Sequence, residues 1–379
     1  MPKPARRSVI LASPSAGQPG EVDRLNAILE KAGLGSPLGP PKLSTPAVVE
    51  LPVSADPRAV VAELRRAAPP GGDDRYEPPS HYGVHVVTDG ATTDDELIPT
   101  EQFQGQGLKT GHGTVSWELV RKRAMPPAKK WRPASSPPVV VVLDSGVKKH
   151  EWLPKDEATK RHFCIVPRPG PALHPPVRDR ALKNRNLSGY WGHATFLAGL
   201  IRLHAPDAQV MSVKLMSDAG RLNERNLLQA LHWLVQYKAG GGAADVVLMA
   251  FGRPKKPGEA DPLGLPELIA QLSGNGVTFV ASAGNAHSHQ KTVPACLDNV
   301  ISVGAGISAK DREWYSNYGP WVRDWRPGTV VSLMPLTRLG AHDNGNGYAL
   351  WSGTSFSAAI LAGELAQARA EERAASARP

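Results

Sequence analysis

Five runs of β-branched and aliphatic residues set the fold class of this chain. They are VVVVLDSGV from Val139, QVMSVKLM from Gln209, ADVVLMAFG from Ala244, VTFVASAGN from Val277 and NVISVGAG from Asn299. Each is apolar at consecutive rather than alternate positions, the pattern of a strand covered on both faces, as in a parallel sheet. Helical segments alternate with them: HATFLAGLIRLH from His193, NERNLLQALHWLVQYKAG from Asn223 and PLGLPELIAQLSGNG from Pro262. Strands alternating with helices predict an α/β fold with a doubly wound parallel sheet. In such sheets the chemistry lies beyond the carboxyl ends of the strands.

This reading covers residues 138–379. Ahead of it the texture differs, since 26 of the 36 prolines lie at or before Pro176. Within residues 1–90 a small α+β domain is expected. RSVILAS, AVVELPV and YGVHVV read as strands. EVDRLNAILEKAGLG, with Gly33 and Gly35 at its end, and SADPRAVVAELRRAA, with Ser54 and Asp56 in its cap region, read as helices. Residues 91–137 read as a Pro-rich basic linker.

Charge divides the chain the same way. Residues 1–120 hold eleven Lys/Arg against fifteen Asp/Glu, whereas residues 139–379 hold 27 against 20. Between them RKRAMPPAKKWR, Arg121 to Arg132, carries six positive residues and no negative one. A basic patch can hold nucleic acid, but this one sits among prolines with no nucleic-acid motif, so a solvated linker is the reading. No apolar run approaches the roughly 18 to 20 residues that cross a bilayer, which predicts a soluble protein without membrane partners. The N-terminal apolar stretch Val9 to Ala12 is shorter than the roughly 7 to 15 residues of a signal peptide core, which points to the cytoplasm. Cys164 and Cys296 lack zinc-site spacing and are expected to be free, buried small hydrophobes.

Polar residues stand where the apolar runs end. Asp144 follows VVVVL, His193 opens a helix in GHATFLAGL, Asn285 ends VTFVASAGN, and Ser355 sits where WSGTSFSAA turns into a helix. Taken singly each has a plain structural reading: helix cap, satisfied histidine, turn asparagine, capping serine. Together they are the set that acyl transfer requires. A hydroxyl attacks, an imidazole takes its proton, a carboxylate holds the imidazole tautomer, and amide donors stabilise the oxyanion.

These motifs resemble those of the subtilisin-like serine proteases, the subtilases. LDSGV is similar to the family's catalytic Asp motif, GHATFLAGL to its His motif, SAGN to its oxyanion Asn motif and SGTSFSA to its nucleophile motif, in the family's order. VPACLDNVISVGA and YSNYGPWVRDWRPG resemble two further family stretches. The likeness spans roughly residues 138–367. It implies a serine endopeptidase in which Ser355 is the nucleophile, His193 the general base and acid, and Asp144 the orienting carboxylate. The Asn285 amide and the Ser355 backbone N–H would form the oxyanion hole, and no cofactor is required. It also implies that Asp218-Ala219-Gly220 and Ala250-Phe251-Gly252 pair with an extended peptide or protein substrate, one on each side, by β-strand addition. The competing reading is a catalytically silent scaffold that kept the fold; none of the four residues it would be expected to lose is missing.

Three departures from the family stand out. Ala194 follows the His where Gly is usual, Ala359 replaces a Pro after the Ser, and the sequence ends soon after the nucleophile helix. An uncovered sheet side, or another element over it, is the expectation from the last. The N-terminal domain resembles, by layout only, the propeptide that assists folding and covers the cleft in many subtilases; a permanent structural partner is the alternative. His287 and His289 lack a third ligand for a metal, and DNGNG, Asp343 to Gly347, lacks the acceptors of a calcium loop. Trp314, Trp321, Trp325 and Trp351 are expected to pack beneath the site.

Overall fold

The computed structural model describes residues 9–12, 26–27, 30, 47–50, 60, 63, 76–77, 81–84, 112–113, 117–123, 136–154, 162–165, 192–216, 221–335 and 347–376. Along the N-terminal part, β1 (Val9–Ala12) pairs antiparallel with β2 (Ala47–Glu50) and with β3 (Tyr76–Glu77). Asn26, Ala27 and Glu30, and also Val60 and Glu63, are helical, inside the two stretches read as helices.

The strand expected in YGVHVV forms as β4 (His81–Val84), but it does not join β1 to β3. It pairs antiparallel with two strands of the large domain. Residue alternation marks a strand but not its partner, so the sequence could not assign this one.

The stretch read as linker also holds structure: β5 (His112–Gly113) and α1 (Trp117–Arg123). Val120 of α1 is fully buried, in a cluster with Trp152, Val331, Leu333 and Tyr348. Three of the six linker cations, Arg121, Lys122 and Arg123, lie exposed in the last turn of α1. Positive charge there is favoured by the helix dipole, which accounts for them without a nucleic acid.

The large domain follows as β6 (Val139–Asp144), β7 (Cys164–Ile165), α2 (His193–His204), β8 (Gln209–Lys214), β9 (Arg221–Asn223), α3 (Glu224–Ala239), β10 (Val246–Met249), β11 (Phe251–Pro254), α4 (Leu265–Gly274), β12 (Thr278–Ser282), β13 (Thr292–Val293), β14 (Val300–Ala305), β15 (Asp324–Arg326), β16 (Thr329–Leu333), β17 (Tyr348–Ser352) and α5 (Thr354–Ser376). Seven strands form one sheet in the order β15-β14-β12-β10-β6-β8-β7, every pairing parallel. The α/β doubly wound sheet is therefore as expected. The five apolar runs are its β6, β8, β10, β12 and β14.

Sequence order reverses at β6, which lies between β8 and β10. At such a switch point the loops leaving neighbouring strands diverge and open a crevice. Asp144 is the last residue of β6. β6 and β10 are buried at every position, which explains their unbroken valine and leucine content.

Helices take the sequence's cues. α3 begins after Asn223, whose side-chain oxygen accepts the Arg225 N–H at 2.9 Å and so caps the first turn. Leu227, Leu228, Leu231 and Leu234 form its buried stripe. α2 is buried from His193 to Arg202 and packs against α5, the other helix at the centre.

α5 also packs over β10, β12 and β14. At its far end Arg369 and Arg373 reach Asp245, just before β10. The outer strand β15 carries Asp324 and Arg326, and Arg326 pairs with Glu364 of α5 at 2.7 Å. Short length and charge blunt that edge. Among the described residues no helix is long and apolar enough to cross a membrane. Cys164 and Cys296 are free as expected, though half-buried rather than buried, and burial pushes the Cys164 thiol up to about 12.

Candidate active site

Asp144, at the end of β6, and His193, at the start of α2, meet in the interior, both with no exposed surface. His193 Nδ1 lies 2.9 Å from Asp144 Oδ2 and 3.0 Å from Oδ1. A carboxylate can only accept, so Nδ1 donates and the lone pair falls on Nε2. Nε2 is buried and has no hydrogen-bond partner among the described residues. Asp144 Oδ1 further accepts from the Ser145 N–H at 2.6 Å and from the Ser145 hydroxyl at 2.9 Å. These bonds offset the cost of burying the charge.

The backbone that delivers His193 depends on glycine. Gly192 has φ 84°, and a Cβ there would stand 2.6 Å from Met334 Sδ and 2.8 Å from Pro335 Cδ. The ring of His193 is held by Trp351 and Phe356, at 5.8 Å from each centroid, and Phe196 packs on Phe356 at 4.4 Å. Of the four tryptophans expected beneath the site, Trp351 takes that place with no exposed surface. Trp314 instead lies 45% exposed.

Ser355 is the second residue of α5 and is fully buried. It lies in the first turn, where backbone N–H groups close no helical bond and the helix dipole favours negative charge. Its hydroxyl donates to the Ala250 carbonyl at 2.9 Å. Asn285 follows β12 on a turn whose Gly284 has φ 104°. Its Oδ1 accepts from the Thr354 N–H at 3.0 Å and the Thr354 hydroxyl at 2.9 Å. That fixes the amide, and its Nδ2 is buried without a partner among the described residues. An orphaned buried donor is costly, and such donors recur where charge must be stabilised.

Sequence reasoning passed over Thr354 as part of a motif. Its place beside Ser355 in SGTSFSA was the signal available. Ala194 and Ala359, the departures from the family pattern, are both buried without displacing the groups described here.

The two segments expected to bind peptide are partly in view. Asp218, Ala219 and Gly220 lie outside the described residues, but β9 begins at once after them. Phe251 and Gly252 open β11, and Ala250 directly precedes it. Between β9 and β11 runs β4: Val84 stands opposite Phe251, Gly83 opposite both Gly252 and Arg221, Tyr82 opposite Leu222 and His81 opposite Asn223. The chain's own residues 81–84 thus form an inner strand of an antiparallel sheet, β13-β11-β4-β9, next to β11, which directly follows the residue that accepts the Ser355 hydroxyl. At the other side of Ser355, β5 extends the hairpin of β16 and β17, with His112 opposite Trp351.

His287 and His289 lie exposed on a loop, as the reading without a metal implies. Their rings lean on Tyr318 at 5.6 and 6.0 Å, and Arg312 stacks over the same ring at 4.1 Å. Asp343 to Asn346 of DNGNG lie outside the described residues.

A model of the subtilase family, peptidase family S8, matches residues 135–378. Among curated proteins, the alkaline elastase YaB of Bacillus sp. (strain YaB) is 27% identical over 264 residues, covering 67% of this chain and 59% of that protein. The M-protease of Shouchella clausii (strain KSM-K16) is 26% identical over 283 residues, covering 72% of this chain and 64% of that protein. Subtilisin BL of Lederbergia lenta is 27% identical over 263 residues, covering 67% of this chain and 83% of that protein. The chain spans about three-fifths of the length of the first two relatives.

Proposed function

The chain belongs to the subtilase family, and from that premise we propose that it is a serine endopeptidase working through an acyl-enzyme on Ser355. The observation that carries the reading is the buried Asp144–His193 pair, whose ring lies 5.8 Å from Phe356 in the first turn of α5 and whose Nε2 has no partner among the described residues.

In the reaction the Ser355 hydroxyl turns from the Ala250 carbonyl toward His193 Nε2. The imidazole takes the proton as Oγ adds to the scissile carbonyl carbon. Asp144 keeps Nδ1 protonated and balances the imidazolium that forms. The carbonyl oxygen becomes an oxyanion, met by Asn285 Nδ2 and the Ser355 N–H. The tetrahedral intermediate then collapses, the amine leaves with the proton from Nε2, and water repeats the sequence on the ester. Asp218, Ala219 and Gly220 on one side, and Ala250, Phe251 and Gly252 on the other, bind the peptide backbone. No cofactor enters any step.

Within this reading β4 occupies the cleft as a blocking strand. Its antiparallel pairing with β9 and β11 is the way a substrate strand would bind. The acidic balance of residues 1–120 against the basic balance of residues 139–379 favours that docking. β5 and α1 behave differently, because the pairing of β5 with β17 and the buried Val120 tie them into the large domain. The N-terminal part therefore combines a cleft-covering strand, β4, with a permanent structural segment.

The test is labelling with a fluorophosphonate followed by mass mapping. The expected result is modification of Ser355, absent in Ser355→Ala. Folded protein that takes no label, with the cleft strand removed, would return the chain to the scaffold reading.

A further inference from the structure

From the network around the Asn285 turn we infer that Asn317, whose hydrogen bonds among the described residues go to the Asn285 turn and Thr292 and not to Ser355 or β4, is the positioning residue for the oxyanion donor. The inference rests on the reading of Asn285 as that donor. Asn317 lies between Ala305 and β15, in the YSNYG segment, and is 5% exposed. Its side chain makes the full complement of four amide hydrogen bonds. Oδ1 accepts the N–H of Ala286 at 3.0 Å and of Ser288 at 3.1 Å. Nδ2 donates to the Ala283 carbonyl at 2.9 Å and to Thr292 Oγ1 at 3.3 Å. Its backbone N–H donates to the Gly284 carbonyl at 2.8 Å.

These partners bracket Asn285 on both sides, at positions 283, 284, 286 and 288. Gly284 fits because it lacks a Cβ, which would stand 2.5 Å from Asn317 Nδ2. Thr354 holds the Asn285 amide from the Ser355 side, through Oδ1. Asn317 holds the backbone from which that amide projects. The orientation of the Asn317 amide follows from its surroundings: two N–H donors face one end and the Ala283 carbonyl the other, so a flipped amide would lose those three bonds.

An oxyanion donor must meet a charge that exists only in the transition state. Misplacing it by about 1 Å can cost on the order of 100-fold. Loss of Asn317 therefore lowers kcat with little change in KM. Asp at 317 keeps the two accepted N–H bonds but faces the Ala283 carbonyl with an acceptor. Ser is too short to span the turn.

The experiment measures kcat and KM on a peptide amide, using protein purified from expression of the full chain, for Asn285→Ala, Asn317→Ser, Asn317→Asp and the double variant Asn285→Ala/Asn317→Ser, with the folded fraction followed by thermal unfolding. The expected result is a fall in kcat of about 10- to 100-fold for Asn317→Ser, with KM within about threefold. Asn317→Asp should recover part of that loss. On the Asn285→Ala background, Asn317→Ser should cost no more than about twofold, because the group it positions is already gone. An equal penalty with and without Asn285 overturns the inference, as does activity lost only in step with the folded fraction in both Asn317 variants. A large loss for Asn285→Ala with none for Asn317→Ser overturns this inference alone. An unchanged kcat for Asn285→Ala removes the oxyanion reading itself.

Discussion

Val84 stands opposite Phe251, and the residue before Phe251 supplies the carbonyl that accepts the Ser355 hydroxyl. One antiparallel register thus ties the N-terminal part of the chain to the nucleophile.

Breaking that register should free the cleft. Gly83 is the residue paired on both sides, so Gly83→Pro removes an N–H in the middle of the ladder. One or two hydrogen bonds at about 1 kcal/mol each correspond to roughly 5- to 30-fold. Initial hydrolysis of a small chromogenic peptide by the freshly purified full chain should rise by that order. Equal initial rates would show that β4 does not limit access.

Asn285→Ala should lower kcat by about 10²–10³ with KM nearly unchanged, the behaviour of a donor used in the transition state. Steady-state kinetics on the same peptide is the measurement. A raised KM with intact kcat would instead make Asn285 a ground-state contact.

Asp245→Ala removes a carboxylate that accepts the Val139 N–H at 2.8 Å and pairs with Arg369 and Arg373. Leaving that buried N–H unpaired should cost about 1–3 kcal/mol, read as a lower urea midpoint. Arg373→Ala should cost at most about 1 kcal/mol, because that side chain is 41% exposed. A larger loss at Arg373 than at Asp245 would contradict this ranking.

His204, at the end of α2, has its pKa lowered from the ordinary 6.5 by burial, against the opposing pull of Glu364, whose carboxylate is 3.9 Å away, and reinforced by Arg326. The folded state therefore binds this proton less readily than the unfolded chain. The stability that follows is present above about pH 6.5 and is lost as pH falls below it. His204→Gln should flatten that part of the pH dependence. Urea midpoints at about pH 7.5 and 5.5, compared between the two proteins, test it; parallel falls would assign the loss to other groups.

The parallel sheet and the four motif residues were legible because each sits in a local signal. An apolar run of five or six residues announces a buried strand, and Asp144, Asn285 and Ser355 follow such runs or glycine turns directly. The destination of YGVHVV was not legible, since Val84 and Phe251 lie 167 residues apart in the chain and their pairing leaves no mark in either segment. α1 was hidden for another reason: a basic, proline-flanked stretch masks the one residue, Val120, that fixes it. Asn317 lies 32 residues from Asn285, and its role depends on which backbone groups the turn brings to its amide.

α5 begins one residue before Ser355 and runs 23 residues to Ser376, a rod of about 34 Å. Ala358, Ala359, Ala362, Ala366 and Ala370 bury it along its length, and Arg369 and Arg373 anchor its far end below the sheet. The nucleophile is in this sense mounted on the keel of the domain. The buried middle of α5, Ala358 to Ala366, is packed between α2 and the sheet, so the amides there should exchange with deuterated solvent only through global opening, whereas the exposed last turns from Glu371 exchange sooner. Reactivity at Ser355 and integrity of the whole sheet should then be lost together, at one temperature.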